Sequence, residues 1–143
     1  EYILKNIPAY QSASNELNQV SKQWQNEVEK LGKEAKSLYD SYQASVKTLS
    51  DAQKTKKEEE IVAKEKSAAE LRRKYFGPEG ELFKKREALM QPIQDEIYEA
   101  VKAISTQKGY AVVVDRASAS SIIFASPNID ISNEVLAKLG YSN

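Results

Sequence analysis

The 143 residues have the length of a single domain, and 41% apolar with 29% charged side chains favours a folded protein built on long solvated helices. Because 21 basic side chains balance 21 acidic ones, no net positive field attracts nucleic acid, and we expect no nucleic-acid partner. The absence of His and Cys removes the commonest general base, metal ligand and thiol nucleophile, so we expect no enzyme, no metal and no cofactor, and assign no catalytic residue.

The chain begins with a short apolar segment, residues 2–4 (YIL), which precedes Pro8. This segment is compatible with the end of a strand or with the entry to a first helix. We assign residues 1–15 to the N-terminal part of a small body.

A long helical segment is predicted from about residue 14 to residue 76, where Gly32 is the one weak helix former and proline is absent. Its apolar residues recur at alternating steps of four and three, the spacing of a coiled-coil seam. The seam consists of Leu17, Trp24, Val28, Leu31, Ala35, Leu38, Tyr42 and Leu49, and it lacks an apolar residue at Ser21 and Ser45. This pattern predicts a helical partner along the first half of the segment.

The seam ends at Leu49, and the residues that follow are mostly charged. We therefore predict a solvated hairpin tip at about residues 50–57, between antiparallel helices. Ser50 or Asp51 is expected to cap the second helix, because a short polar side chain can accept a hydrogen bond from the first helical turn.

A stronger helix-breaking signal is the sequence Gly77, Pro78, Glu79 and Gly80. If the hairpin turned here, most of the first helix would lack a partner in its own chain, so we predict a kink at about residues 77–80 instead. The predicted arm spans residues 16–108. Pro92 is expected to bend its last helix or to start a new segment, and Gly109 is expected to end the helix.

The C-terminal third has a different character. Two short β-branched runs, residues 110–115 and 121–126, predict two strands, and a final short helix is predicted at residues 133–139, with Ser132 as its cap. Residues 109–143 would form the C-terminal part of the body. The predicted fold class is α+β and mostly helical, with a long antiparallel coiled-coil hairpin arm projecting from a small β body.

Three runs in this region, GYAVVVD from Gly109, IIFASP from Ile122 and DISNEVL from Asp130, resemble the Skp/OmpH family in order and spacing. The run YFGPEGEL from Tyr75 and the early YIL are similar to members from Bacteroidetes-type bacteria. The resemblance covers essentially the whole chain. Well-known members are strongly basic, whereas this chain carries no net charge.

The resemblance implies a periplasmic homotrimer whose arms surround a cavity. It implies an ATP-independent holdase chaperone that keeps unfolded outer-membrane β-barrel proteins from aggregating. The basic clusters at residues 72–74 and 84–86 suggest lipopolysaccharide or the membrane surface as a weak further partner, and nearby glutamates offset each cluster. Members also carry a full N-terminal strand, which we expect to be absent or cut in this sequence. Trimerisation would close the open edges of a sheet that has only two or three strands in each chain.

Apolar residues off the seam are candidates for client contact, because a two-helix hairpin cannot cover its whole apolar surface. They are Tyr39, Val46, Val62, Phe76 and Phe83. For any single one of them, local packing is the competing interpretation. The residues assigned to the body and its oligomer interface are Ile3, Leu4, Val112, Val114, Ile122, Phe124, Ile131, Val135 and Leu136.

Two other functions remain compatible with the residues alone. A prefoldin-like cytoplasmic chaperone also combines a helical hairpin with a small β body. A structural coiled-coil adaptor would bind one specific folded partner and would not suppress aggregation.

Overall fold

A computed structural model describes residues 1–141, so residues 142 and 143 of the predicted C-terminal body lie outside the described part. Within it the α-helices are α1 (Tyr2–Lys5), α2 (Pro8–Ser45), α3 (Asp51–Phe76), α4 (Glu81–Lys108) and α5 (Ser132–Lys138). The chain divides into two compact units. Residues 16–85 form the hairpin unit, and residues 1–15 with those from Arg86 onward form the terminal unit.

Helices α2 and α3 run antiparallel in the hairpin unit. Side-chain contacts join Glu27 to Tyr75 and Glu34 to Lys64, so residue numbers rise along one helix as they fall along the other. The predicted antiparallel hairpin is confirmed for this unit. Residues 86–108, which we predicted as part of the arm, belong to the terminal unit.

The predicted seam is buried between these helices. Val28 is 3%, Ala35 5% and Tyr42 9% exposed on α2, and Ile61 is 7% exposed on α3. The remaining seam residues are half-buried. Since an apolar stripe on one helix is covered by the other, the steps of four and three predicted this packing correctly.

The turn between α2 and α3 is shorter and earlier than the predicted tip. It consists of a 3-10 turn at Val46–Thr48 followed by Leu49 and Ser50, whereas residues 51–57 are helical. The Ser50 hydroxyl accepts a bond from the Gln53 N–H at 3.3 Å, and the Gln53 side chain accepts one from the Ser50 N–H at 2.9 Å. This reciprocal cap provides hydrogen-bond partners for backbone N–H groups at the start of the helix. Helix α3 therefore begins directly after Ser50, although the side chains of its first turns are solvated.

A tight turn separates α3 from α4 at residues 77–80, the position of the predicted kink. The Gly80 N–H donates to the Gly77 carbonyl at 2.9 Å. A Cβ on Gly80 would stand only 2.7 Å from the Tyr75 carbonyl oxygen, so this position excludes any larger residue. Farther on, α4 continues through Pro92 and ends before Gly109, which has a φ of 70°.

The terminal unit packs the N-terminal segment and α5 around two small cores. Ile7 and Val135 are the largest fully buried side chains. Segment 2–4, which the sequence left open between strand and helix, lies in α1. The Tyr2 hydroxyl donates to the Asn133 side chain at 3.0 Å, and Lys108 binds Glu134 at 2.6 Å.

The two predicted strands are not confirmed, because residues 1–141 of the single chain contain no strand. Residues 110–115 and 121–126 lie in irregular backbone on either side of a turn. A β-branched run becomes a strand only when a neighbour completes its hydrogen-bond ladder, and the described residues supply none. The α+β class is therefore not observed in a single chain, which is mostly helical.

The final helix is present, but its cap differs from the prediction. Ser132 is the first residue of α5, and the Asp130 carboxylate accepts the Ser132 N–H at 2.8 Å. Hydrogen bonds from the Ser132 side chain and backbone hold the pKa of Asp130 below its ordinary value. Gly140 follows the helix with a φ of 85°, in the predicted terminating position.

Candidate functional site

Three polar contacts join the helices along one flank of the hairpin unit, which we call the bridged flank. Glu16 binds Lys85 at 2.6 Å, and Glu34 binds Lys64 at 2.9 Å. Between them the Tyr75 hydroxyl donates to Glu27 at 2.6 Å. The Lys64 contact lowers the pKa of Glu34, chiefly by hydrogen bonding and then by its positive charge.

We call the opposite side of the hairpin the open flank. Helical geometry identifies the residues that lie on it. Two positions along an α-helix correspond to a rotation of about 200°. Val62 and Phe83 each precede a bridging lysine by two residues, so they project away from the bridged flank. On α2, Gln25 and Gly32 precede the bridging glutamates by two residues, which places both on the open flank as well.

The five predicted client-contact residues differ in exposure. Val62 is 61%, Phe83 50% and Tyr39 49% exposed, whereas Val46 and Phe76 are half-buried. Phe76 is partly covered because its ring packs edge-to-face with that of Tyr75, with ring centroids 6.3 Å apart. No described contact tests the binding role assigned to these residues, which stays a prediction.

Tyr39 and Val62 lie at the same level of the hairpin. The Glu34–Lys64 pair lies on one side of that level, and the Tyr42–Glu58 hydrogen bond lies on the other. Two large apolar side chains, one on each helix, are therefore exposed at one level of the hairpin. The sequence selected both residues without predicting that they share a level.

An aromatic cluster just before the turn at 77–80 was not predicted. Trp24 and Tyr75 stack with ring centroids 4.6 Å apart and planes inclined by 6°. Lys74 lies 5.8 Å from the Tyr75 ring centroid. The signal was available in the seam, because Trp24 belongs to it, but a seam does not reveal which residue of the partner helix it meets.

The residues assigned to the body separate into two groups. Ile3, Leu4 and Ile131 pack against the cores of the terminal unit, and Val135 and Leu136 are buried within them. By contrast, the candidates in the predicted strands are exposed, by 76% at Val112, 52% at Val114, 38% at Ile122 and 81% at Phe124. The prediction missed Ile123, which is fully exposed between the last two.

In a comparison with protein families, the family model described as outer membrane protein (OmpH-like) matches residues 1–139. The chain belongs to the OmpH-like family. The resemblance to the Skp/OmpH family is thereby confirmed. Family membership supports a periplasmic chaperone whose partners are outer-membrane proteins. No curated protein matches the chain.

In this OmpH-like chain, the basic residues beside the turn at 77–80 are partly neutralised. Lys85 is paired with Glu16, and Lys84 lies 3.5 Å from Glu81. Among residues 1–141, no group of acidic side chains is arranged to hold a metal ion. None of the helices in the described part of the chain has an apolar stretch long enough to span a bilayer.

Proposed function

We propose that this OmpH-like chain is an ATP-independent holdase chaperone that binds unfolded outer-membrane proteins in the periplasm, prevents their aggregation and catalyses no reaction. The observation that carries the proposal is the exposure of Tyr39, Val62 and Phe83 on a hairpin whose seam is already filled. Folding of the hairpin does not require these side chains, so their apolar surface is available to a guest.

Holding without nucleotide requires contacts that are individually weak and collectively sufficient. Each exposed apolar side chain buries only part of its surface against a guest, and several of them acting together raise the overall affinity by avidity. A guest held in this way can leave when its apolar surface is buried more favourably elsewhere, for example in its own folded structure. The exposed side chains of the hairpin unit fit this mode better than a single deep pocket.

We further propose that the chain acts as a homotrimer joined through residues 110–126. This segment exposes Val112, Ile123 and Phe124, although apolar β-branched and aromatic residues favour paired strands. Pairing with the same segment of neighbouring chains would bury these side chains and supply the missing ladder partners. The β body expected from the family would then arise only on assembly.

Lipopolysaccharide or the membrane surface is, in this proposal, a weak partner. The chain has no net charge, and Lys84 and Lys85 already lie beside glutamates. Their attraction for an anionic surface is correspondingly reduced.

The test of the holdase function is light scattering while a urea-unfolded outer-membrane β-barrel protein is diluted into buffer without nucleotide. We expect about three subunits per client to suppress scattering strongly. Unchanged aggregation would contradict the proposal and favour an adaptor that binds one folded partner.

The test of assembly is the mass of the chain in solution, measured by size exclusion with multi-angle light scattering. We expect about three times the 16.1 kDa of one chain. A monomer at micromolar concentration would contradict the trimer while leaving the holdase test independent.

A further inference from the structure

Residues 111–129 lie between α4 and α5, and we call them the connecting segment. Its large apolar side chains are all exposed, by between 38% and 101%. There are seven of them, Val112, Val113, Val114, Ile122, Ile123, Phe124 and Ile129. Thirteen large apolar side chains are exposed in residues 1–141, so more than half of them belong to this segment. The connecting segment therefore contributes little buried apolar surface to the fold of its own chain.

The hydrogen bonds of the connecting segment are local. The Asp115 carbonyl accepts the N–H groups of Ser118 and Ala119, both at 3.1 Å, and the Asp115 carboxylate accepts the Ala117 N–H at 3.0 Å. In the described part of the chain, no hydrogen bond joins residues 111–129 to a residue before 111 or after 130. The segment is thus held by its own turns and by its two ends.

The two ends of the connecting segment are fixed by contacts of the residues that flank it. Before the segment, the Tyr110 N–H donates to the Ser105 carbonyl at 2.9 Å and closes the end of α4. On either side of the segment, Lys108 and Glu134 form an ion pair at 2.6 Å. The chain therefore returns to α4 close to the point at which it leaves that helix.

The two cores of the terminal unit are built, among the described residues, without any member of the connecting segment. Val135 is fully buried and belongs to one core with Ala100 and Ile104 of α4. Leu136 belongs to the other core with Ile7. These contacts position α5 on the rest of the unit, so its position does not depend on the path of the connecting segment.

We infer that the connecting segment is a separable element of the chain. The terminal unit reaches its fold without residues 111–129, and these residues take up regular structure only against another chain. The first statement stands on the contacts above, and the second rests on the proposed trimer. Ordering a segment that is tethered at both ends costs conformational entropy, which the seven exposed side chains offset only when another surface buries them.

A separable segment allows the chain to assemble and dissociate without unfolding. The single chain and the assembled chain then share α4, α5 and both cores, and they differ in residues 111–129. Assembly depends on the concentration of folded chains, because the association is a binding equilibrium between them. The same equilibrium sets how many hairpins act together on one guest.

The test replaces residues 111–129 with six alternating Gly and Ser residues, which span up to about 20 Å. Tyr110 and Asp130 are kept, because the Asp130 carboxylate accepts the Ser132 N–H at 2.8 Å at the start of α5. A second variant keeps the natural length and changes the seven exposed apolar residues to Ser. Val135→Ala is the control for a change that the fold requires, since it opens a cavity in a core.

Hydrogen exchange measured by mass spectrometry reports on the terminal unit through residues 93–104, where Ile93, Ala100 and Ile104 are buried. We expect both segment variants to keep slow exchange there, to melt within a few degrees of the unaltered chain, and to have the mass of one chain. Val135→Ala should exchange several-fold faster at these residues. Fast exchange of residues 93–104 in either segment variant would overturn the separability.

In the unaltered chain, we expect residues 111–129 to exchange rapidly at dilutions where the mass is that of one chain, and several-fold more slowly in the assembled form. Slow exchange of the segment in the single chain would overturn the second statement. If the unaltered chain stays monomeric at every concentration, the trimer and the second statement fail together. Slow exchange of residues 93–104 in both segment variants would still support the first statement.

Discussion

Trp24 lies flat on Tyr75, with ring centroids 4.6 Å apart, and the Tyr75 hydroxyl binds Glu27 one helical turn farther along α2. The last turn of α3 is thus held to α2 immediately before the helix ends at Gly77. Stacking and the hydrogen bond act on one side chain, so Tyr75 fixes both the distance and the rotation of α3 at this point.

Replacing Tyr75 with Ala should lower the melting temperature of the hairpin by several degrees and shift the Trp24 emission to longer wavelength, because the indole loses its stacked cover. Trp24 is the one tryptophan, so fluorescence reports this site alone. Tyr39→Ala is the control, since Tyr39 is 49% exposed and its loss should leave the emission unchanged. An unshifted emission in the Tyr75 variant would contradict the stack.

Ile61 and Val62 are sequence neighbours with opposite environments, 7% and 61% exposed. Ile61→Ala leaves a cavity in the seam and should cost about 2–4 kcal/mol of unfolding free energy. Val62→Ala removes an exposed side chain and should change it by less than about 0.5 kcal/mol. Urea unfolding followed by circular dichroism measures both, and equal losses would show that Val62 belongs to the core.

These neighbours also show what the sequence could predict. The seam was predictable because its pattern of four and three is satisfied by two segments of one chain, at Val28 and Ile61 among others. Ser50 was predictable as a cap because the bond it makes is local. The strands at 110–115 and 121–126 were not, because their outcome depends on a ladder partner that the described residues do not contain.

The open flank was missed for a different reason. Tyr39, Val46, Val62, Phe76 and Phe83 were selected one by one as apolar residues outside the seam. That Val62 and Phe83 project away from the bridged flank becomes visible only when the bridges themselves are known. The sequence does not show which residues of the two helices form those bridges.

The triple change Val46→Ser, Val62→Ser and Phe83→Ser should weaken client holding more than folding, because two of the three side chains are at least half exposed. We expect a much smaller suppression of aggregation in light scattering, with nearly unchanged helicity in circular dichroism. Proportional loss of helicity and of holding would place these residues in the core instead. Ser67→Ala, on the other side of α3, is the control for exposed substitutions.

Tyr42 and Tyr75 should respond to alkaline pH. Each donates its hydroxyl proton to a carboxylate, Glu58 or Glu27, and this hydrogen bond raises the pKa of the phenol above its ordinary value of about 10. The stabilisation is therefore fully present below about pH 10 and is lost as the pH rises through the raised value.

The double variant Tyr42→Phe, Tyr75→Phe should accordingly be less stable than the natural chain at neutral pH and nearly equal to it at strongly alkaline pH. Thermal melting of both proteins from neutral to alkaline pH measures the difference in their stability. Titration of the other groups contributes equally to both proteins and cancels from this difference. NMR of ring-labelled tyrosine checks the cause directly. A difference that stays constant across this range would contradict the raised pKa values.

A substitution at Phe124 should prevent assembly of the trimer without affecting the folding of the single chain. Its side chain is 81% exposed, so Phe124→Asp should leave the helicity of the chain unchanged, whereas a charge in a strand shared between copies would lack a partner there. We expect the solution mass to fall from that of a trimer toward one chain of 16.1 kDa. Ser67→Asp, at an exposed position of α3 outside residues 110–126, is the control and should keep the larger mass. If Phe124→Asp remains trimeric at micromolar concentration, the copies are joined through a surface other than residues 110–126, and the exposed apolar run there needs a different partner.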